Sequence, residues 1–327
     1  MDTLAVDDID EYLGPAESRF FGSGYRKAEH SLSRLTYEKE AICGTLTVRY
    51  PADWSKKKAG IDLRPHLSTV DTMVLAVDLT DALLVMALHL TPEQRAASRI
   101  CKIVIQAGTR PEEDLGAVPV EARVLRTKAL DGGFAETTCM ITVGQMRARC
   151  TIAHPGHVVS QNAFEVSFDL ATVLGPRKHR YWGEGFRNGQ QSIRSVFADI
   201  GLCTADALIG VDEVPAHVVS GIGGRPKGPT PVDAFVGILQ LVQVLLYEMD
   251  GVPRTESNTL WMQQTVIEVS PDTAPGRQLT AAITDSRLID MPDGKWRNVE
   301  FEGSLGAIRQ RSLFAHRLPE SVTAPAA

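Results

Sequence analysis

The sequence predicts an α+β protein built from two copies of one unit, each an antiparallel sheet wrapped around one long helix. Three observations point there. The chain repeats itself at near-constant spacing over most of its length. Each copy carries one apolar stretch of about 20 residues behind a helix-start signature, enough for a rod of roughly 30 Å. Each copy then continues as short segments of strand periodicity, two of them meeting at an Asp-Gly turn.

The repeat carries the most information. LGPAESRFFGSGYRKAEHSL at 13–32 answers LGPRKHRYWGEGFRNGQQSI at 174–193. Leu13, Gly14, Pro15, Arg19, Gly22, Gly24, Arg26 and Ser31 recur as Leu174, Gly175, Pro176, Arg180, Gly183, Gly185, Arg187 and Ser192, and Phe20, Phe21 and Tyr25 become Tyr181, Trp182 and Phe186. RPHLSTVD at 64–71 answers RPKGPTPVD at 225–233, which is one residue longer, so the spacing grows from 161 (13 against 174) to 162 (71 against 233). It then holds: Asp131-Gly132-x-Phe134 pairs with Asp293-Gly294-x-Trp296, and VGQMRARCTIAH at 143–154 pairs with LGAIRQRSLFAH at 305–316. Equal spacing over both copies means equal elements in equal order. The expected units are a first repeat at 1–160, a second at 161–317 and a disordered tail at 318–327.

Each copy opens with the glycine- and aromatic-rich segment, followed by a short strand pattern such as Leu46 to Tyr50. The apolar stretches at 68–90 and 230–250 come next. Ser68 and Thr230 stand at helix caps with Asp71 and Asp233 three residues on, and Pro231 suits the first helical position. Both helices are apolar on nearly every face and so must be buried. KIVIQA, VEARVL, TTCMITV and MRARCTIAH form the strands of the first copy, and TVIEVS, LTAAITDSRLI, NVEFEGSL and IRQRSLFAH those of the second. One buried helix followed by an antiparallel meander is the pattern of a hot-dog fold. Two copies make a tandem, or double, hot-dog: two antiparallel sheets, each wrapping a long central helix.

Composition excludes several classes of function. With 43% apolar and 23% charged residues the chain reads as an ordinary soluble protein. A net charge of −6 and a pI near 5.8 argue against nucleic acid or an anionic membrane as partner. The acidic start MDTLAVDDIDEYLG is unlike a signal peptide. The apolar run from Val70 to Leu90 is broken by Asp71, Asp78 and Asp81, so it does not read as a membrane span. Five cysteines without a C-x-x-C pair read as reduced thiols in a cytoplasmic protein.

Candidate chemistry gathers at the helix starts. Arg64, His66, Ser68 and Asp71 precede or open the first helix, and Arg225, Lys227, Thr230 and Asp233 the second. A helix N-terminus offers free N–H groups to a developing oxyanion or a phosphate. His66 titrates near neutrality and suits an acid or base, while Asp71 or Asp233 can orient or share its proton. The same two aspartates stand where a capping box wants an acid, so catalysis and capping both remain open. His66 is matched by Lys227, as expected if one of two ancestral sites keeps the chemistry. Arg19, Tyr25, Arg26, Arg180, Trp182 and Arg187 lie among glycines and form a second set of substrate-binding candidates, with an interface plug as the other reading. Arg147 and Arg149, matched by Arg309 and Arg311, share a strand face, either solvated or suited to an acidic carrier; Lys56, Lys57 and Lys58 could serve the same partner. SGIGGRPKGP at 220–229 lacks the residue order of a P-loop. Cys150, His154 and His157 lack a second ligand pair, so no metal and no cofactor are expected.

LGPAESRFFGSGYRKAEH, YPADWSKK and LRPHLSTVD together resemble the AvrD family, bacterial proteins named for the avirulence D protein of plant pathogens. The resemblance runs from about residue 10 to residue 316 and implies a biosynthetic enzyme. Such an enzyme condenses a β-ketoacyl thioester, carried on an acyl carrier protein or coenzyme A, with a small xylulose-like ketose. The product is an acyl-sugar furanone or butenolide signal of the syringolide type, a secondary metabolite. The A-factor synthases, double hot-dog proteins joining a β-ketoacyl carrier to a triose phosphate, are similar more distantly. The resemblance brings no list of catalytic residues. A hot-dog dehydratase or thioesterase, or a non-catalytic acyl-binding protein, are the other classes the residues allow. Either a monomer or a homodimer fits the double repeat.

Overall fold

The computed structural model describes residues 3–55, 64–156, 165–257, 260–271, 276–292 and 294–319. Lys56–Lys58, His157, Asp293 and the chain beyond Pro319, all singled out above, lie outside the described residues.

The first copy runs β1 (Thr3–Asp8), α1 (Ile9–Leu13), two short 3-10 turns, β2 (Glu29–Glu38), β3 (Ala41–Arg49), α2 (Thr69–Met86), α3 (Pro92–Ala96), β4 (Arg99–Gln106), β5 (Val118–Ala129), β6 (Phe134–Val143) and β7 (Met146–Pro155). The second runs β8 (Val166–Phe168), α4 (Leu170–Leu174), two 3-10 turns, β9 (Gln191–Asp199), β10 (Thr204–Val211), α5 (Pro231–Asp250), β11 (Leu260–Val269), β12 (Gln278–Met291), β13 (Gly294–Leu305) and β14 (Ile308–Arg317). Apart from α3 and a 3-10 turn at Asp131–Gly133, each element has its counterpart in the expected order among the described residues.

The long helices form where the sequence places them. Both begin in complete capping boxes: Ser68 Oγ accepts the Asp71 N–H at 3.1 Å while Asp71 takes the Ser68 N–H at 2.9 Å, and Thr230 and Asp233 repeat the exchange. Every residue from Val70 to Leu84 is buried. Helix α5 is long and apolar enough to cross a membrane, but its apolar surface is spent inside the fold. Helix α2 ends at Met86, short of the Leu90 read from the sequence. His89 adopts a left-handed φ of 54°, and Thr91 caps the separate helix α3 with Gln94 in a capping box of its own. Helix α5 continues to Asp250 and stops at Gly251, whose φ of 61° suits a residue without Cβ.

The two sheets expected from the sequence are one. Fourteen strands form a continuous antiparallel sheet in the order β1-β9-β10-β12-β13-β14-β11-β4-β7-β6-β5-β3-β2-β8. The halves join at β4 and β11, with Ile103 opposite Ile267 and Ile105 opposite Thr265, all four fully buried. Helix α2 packs on β3–β7 and α5 on β9–β14. The leading strands are exchanged: β1 of the first copy pairs with β9 of the second, and β8 of the second pairs with β2 of the first. At the other end β14 runs to Arg317, and Leu318 is still buried, its N–H on the Lys295 carbonyl.

The exchange is reinforced by buried arginines. Arg180 crosses from the second copy to α2, where its Nε and Nη2 donate to both Asp78 oxygens at 3.1 Å. Arg19 crosses the other way to Gln240, the matching position on α5, and also pairs with Asp10. Removing one partner of a buried ion pair strands a charge at a cost of about 3–5 kcal/mol. Asp78→Ala is therefore expected to lower the unfolding free energy by about that amount, and Asp78→Gln, which copies Gln240, by less. Urea unfolding of both variants measures the difference; equal losses would contradict the pairing.

Candidate active site

Where the two halves meet, the fold leaves a cavity of about 920 Å³. One end is the N-terminus of α2, with His66, Ser68 and Thr69, beneath Phe20 and Trp54. The second copy contributes Gln243 and Tyr247 on α5, Trp261 and Gln263 on β11, and Trp296 and Asn298 on β13. A smaller cavity of about 390 Å³ lies at the pseudo-equivalent place, the N-terminus of α5, lined by Tyr181, Trp182, Lys227 and Thr230.

The capping box consumes the N–H groups of Ser68 and Asp71, while Thr69 and Val70 occupy the first two helical positions, whose N–H groups have no acceptor within the helix. Thr69 lines the cavity, so this end of α2 can receive a carbonyl oxygen that gains charge. His66 stands three residues earlier on the same wall, half-buried, its ring 5.2 Å from that of Trp261 across the seam. Its Nδ1 lies 3.2 Å from the Arg64 carbonyl oxygen, which can only accept. That contact puts the proton on Nδ1 and leaves the Nε2 lone pair available as a base.

Asp71 lies behind this surface. Its carboxylate accepts from His30 Nε2 at 2.8 Å, from Ser68 Oγ at 2.7 Å and N at 2.9 Å, and from the Tyr50 hydroxyl. Burial alone would raise its pKa, but the bonds from His30, Tyr50 and Ser68 prevail and hold it below the usual aspartate range. His30 is itself buried and stacks on Phe186 from the other copy, ring centroids 6.4 Å apart. Asp233 sits in the same setting, with Gln191 Nε2 at 2.5 Å in the place of His30 and Thr230 Oγ1 at 2.7 Å. Neither aspartate lines a cavity.

The remaining candidates separate by place. Arg19 lines the large cavity; Lys227 and Trp182 line the small one. Arg180 is committed to Asp78 and the Gly175 carbonyl, Arg187 donates to the Ala28 carbonyl, and Arg26 lies over the Tyr25 ring with its Cζ 4.7 Å from the centroid. Arg225 donates to the Val214 carbonyl at 2.7 Å, and Arg64 lies at the surface 4.0 Å from Glu113. Among the described residues no group of three or more His, Cys, Asp or Glu side chains is placed to hold a metal ion.

The family model of the Pseudomonas avirulence D protein matches residues 4–319. The chain belongs to the AvrD family. No curated protein matches it. Solved structures similar to this AvrD chain include the TesB protein of Mycobacterium avium subspecies paratuberculosis, at 10% identity, covering 88% of this chain and 96% of that one, TM-score 0.40. An acyl-CoA thioesterase II, TesB2, of Mycobacterium marinum matches at 10% identity, covering 89% and 97%, TM-score 0.39. A 12:0-ACP thioesterase of Umbellularia californica matches at 10% identity, covering 94% and 98%, TM-score 0.35.

Sequence reasoning missed His30 and Tyr50, and with them the network that holds Asp71 in the AvrD chain. The signal was present: His30 faces Gln191 in the aligned repeats, one of several polar differences between otherwise matched segments. Because the folded-state pKa of Asp71 is depressed, its ionised form stabilises the fold fully above the unfolded value near 3.9, and that contribution is lost as pH falls below it. Asp71→Asn is therefore expected to destabilise at pH 7 and to destabilise by less at pH 3. Chemical unfolding at the two pH values checks this; a pH-independent difference would refute it.

Proposed function

We propose that this AvrD-family chain is a condensing acyltransferase that joins a β-ketoacyl thioester to a small ketose, giving an acyl-sugar that closes to a furanone or butenolide of the syringolide type. The observation that carries the reading is the make-up of the large cavity. It brings Thr69 at the start of α2, the Nε2 of His66 and an apolar surface of Leu67, Met146 and Met262 to one place. Family membership supports chemistry on acyl groups of this kind.

In this reading the thioester carbonyl points its oxygen at the Thr69 and Val70 N–H groups, and the acyl chain lies along the apolar surface. His66 Nε2 takes the proton from a ketose hydroxyl as that oxygen attacks the carbonyl carbon. The tetrahedral intermediate collapses, the C–S bond breaks, and His66 returns the proton to the departing thiolate of the carrier protein or coenzyme A. The ester so formed has an acidic carbon between two carbonyls. Neutral His66 takes one of that carbon's protons, the enolate carbon adds to the ketose carbonyl and so closes the ring, and the new alkoxide takes the proton back from His66; loss of that hydroxyl with the remaining α-hydrogen as water then gives the ring double bond. Asp71 and Asp233 are positioning residues that fix the two helix starts, since neither reaches the cavity surface.

The test is mass spectrometry of the purified protein with a β-ketoacyl thioester and a panel of small ketoses. A ketose-dependent product at the mass of the condensed pair is expected. Free acid or dehydrated thioester formed equally without ketose would sink the reading and make the protein a hydrolase or dehydratase. His66→Gln is expected to slow condensation by roughly 10²–10⁴-fold while thioester binding is kept; an unchanged rate removes His66 as the base.

A further inference from the structure

Of the four tryptophans in the chain, Trp54, Trp261 and Trp296 line the large cavity and Trp182 the small one. The large cavity also gathers side-chain amides on its second-copy wall. Gln263 Nε2 donates to Asn298 Oδ1 at 3.3 Å, a bond that uses neither the Gln263 Oε1 acceptor nor the Asn298 Nδ2 donors. At the matched positions of the first copy, Trp261 and Asn298 are replaced by Arg99 and Glu136, so the repeat itself did not require an indole or an amide there. Indole faces that cover C–H surfaces, beside planar amides offering one acceptor and one donor at fixed spacing, match a polyol with neighbouring hydroxyls. Such a wall is a poor fit for an acyl chain, which leaves the amides without partners.

We propose that Trp261, Gln263, Trp296 and Asn298 form a polyol subsite that holds the ketose, on the second-copy wall of the cavity that also holds the acyl site at the start of α2. The inference rests on the function proposed above and assigns its second substrate to this wall. It also accounts for the His66 ring lying 5.2 Å from that of Trp261: the base lies at the border between the two subsites, within reach of a hydroxyl held by the wall.

Isothermal titration with xylulose and with xylulose 5-phosphate, each with and without a saturating unreactive acyl-pantetheine, tests the subsite directly. Binding of at least one of the two ketoses is expected, weakened about tenfold or more in the Gln263→Ala/Asn298→Ala variant. Lys227→Ala, in the small cavity, should leave it unchanged, as should acyl-pantetheine binding to the double variant. Both amides are at or near the surface, and Trp261→Ala gives a second, independent reading of the same wall. Absence of ketose binding under every condition, or binding that ignores all these wall substitutions, overturns the subsite. Ketose binding that depends on the wall but yields no condensed product would keep the subsite and refute the condensing reaction instead.

Discussion

A helix whose side chains are mostly apolar on every side has no stable place at a surface, and α2 and α5 are both of that kind. Each must be wrapped by strands on all sides it presents, and burying a single large aliphatic side chain is worth about 1.5–3 kcal/mol. Residues Val70–Leu84 of α2 and nearly all of α5 meet that requirement inside a sheet that neither half closes alone. Joining the halves at β4 and β11 also removes two exposed strand edges, which would otherwise invite pairing with another chain. The exchange of β1 and β8, together with Arg180 on Asp78 and Arg19 on Gln240, ties each half to the other's helix.

The same constraint locates the chemistry. Where the helices are enclosed, main-chain polar groups are paired within α2 and α5; the helix starts instead border cavities, with the Thr69 N–H at one and Pro231, which has no N–H, at the other. The fold supplies two such places, and they have diverged. His66 and the indole and amide wall belong to the 920 Å³ cavity, whereas Lys227 marks the 390 Å³ one. Beneath them His30 and Gln191 support Asp71 and Asp233 in parallel ways. The support is shared by both copies while the cavity surfaces differ, as expected of a duplicated scaffold that keeps its frame and specialises one side.

Much of this could be read from the residues. The recurring Gly22/Gly183 and Gly24/Gly185 among aromatics exposed the duplication, and Ser68-x-x-Asp71 and Thr230-x-x-Asp233 marked both helix starts as capping boxes. His66 drew notice because it stands beside such a start. What escaped was relative placement. A repeat reports that elements recur in order but not which sheet edge each strand joins, so the continuous sheet and the exchange of β1 and β8 left no trace in the spacing. His30 is a lone histidine on a strand, and Trp261, Trp296 and Asn298 are scattered along the second copy. Only the fold brings them to one wall. Arg19 and Arg180 read alike, yet Arg19 reaches the cavity lining while Arg180 is closed off by Asp78, because α2 carries an acid where α5 carries Gln240.

The central claim is that the acyl thioester is received by the N-terminus of α2 in the large cavity. A crystal structure with a ketone analogue of a β-ketoacyl-pantetheine, in which carbon replaces the thioester sulfur, tests it most directly. The account predicts the carbonyl oxygen within hydrogen-bond distance of the Thr69 or Val70 N–H, with the chain against Leu67, Met146 and Met262. An analogue seated instead in the small cavity at Thr230 and Lys227 would contradict it.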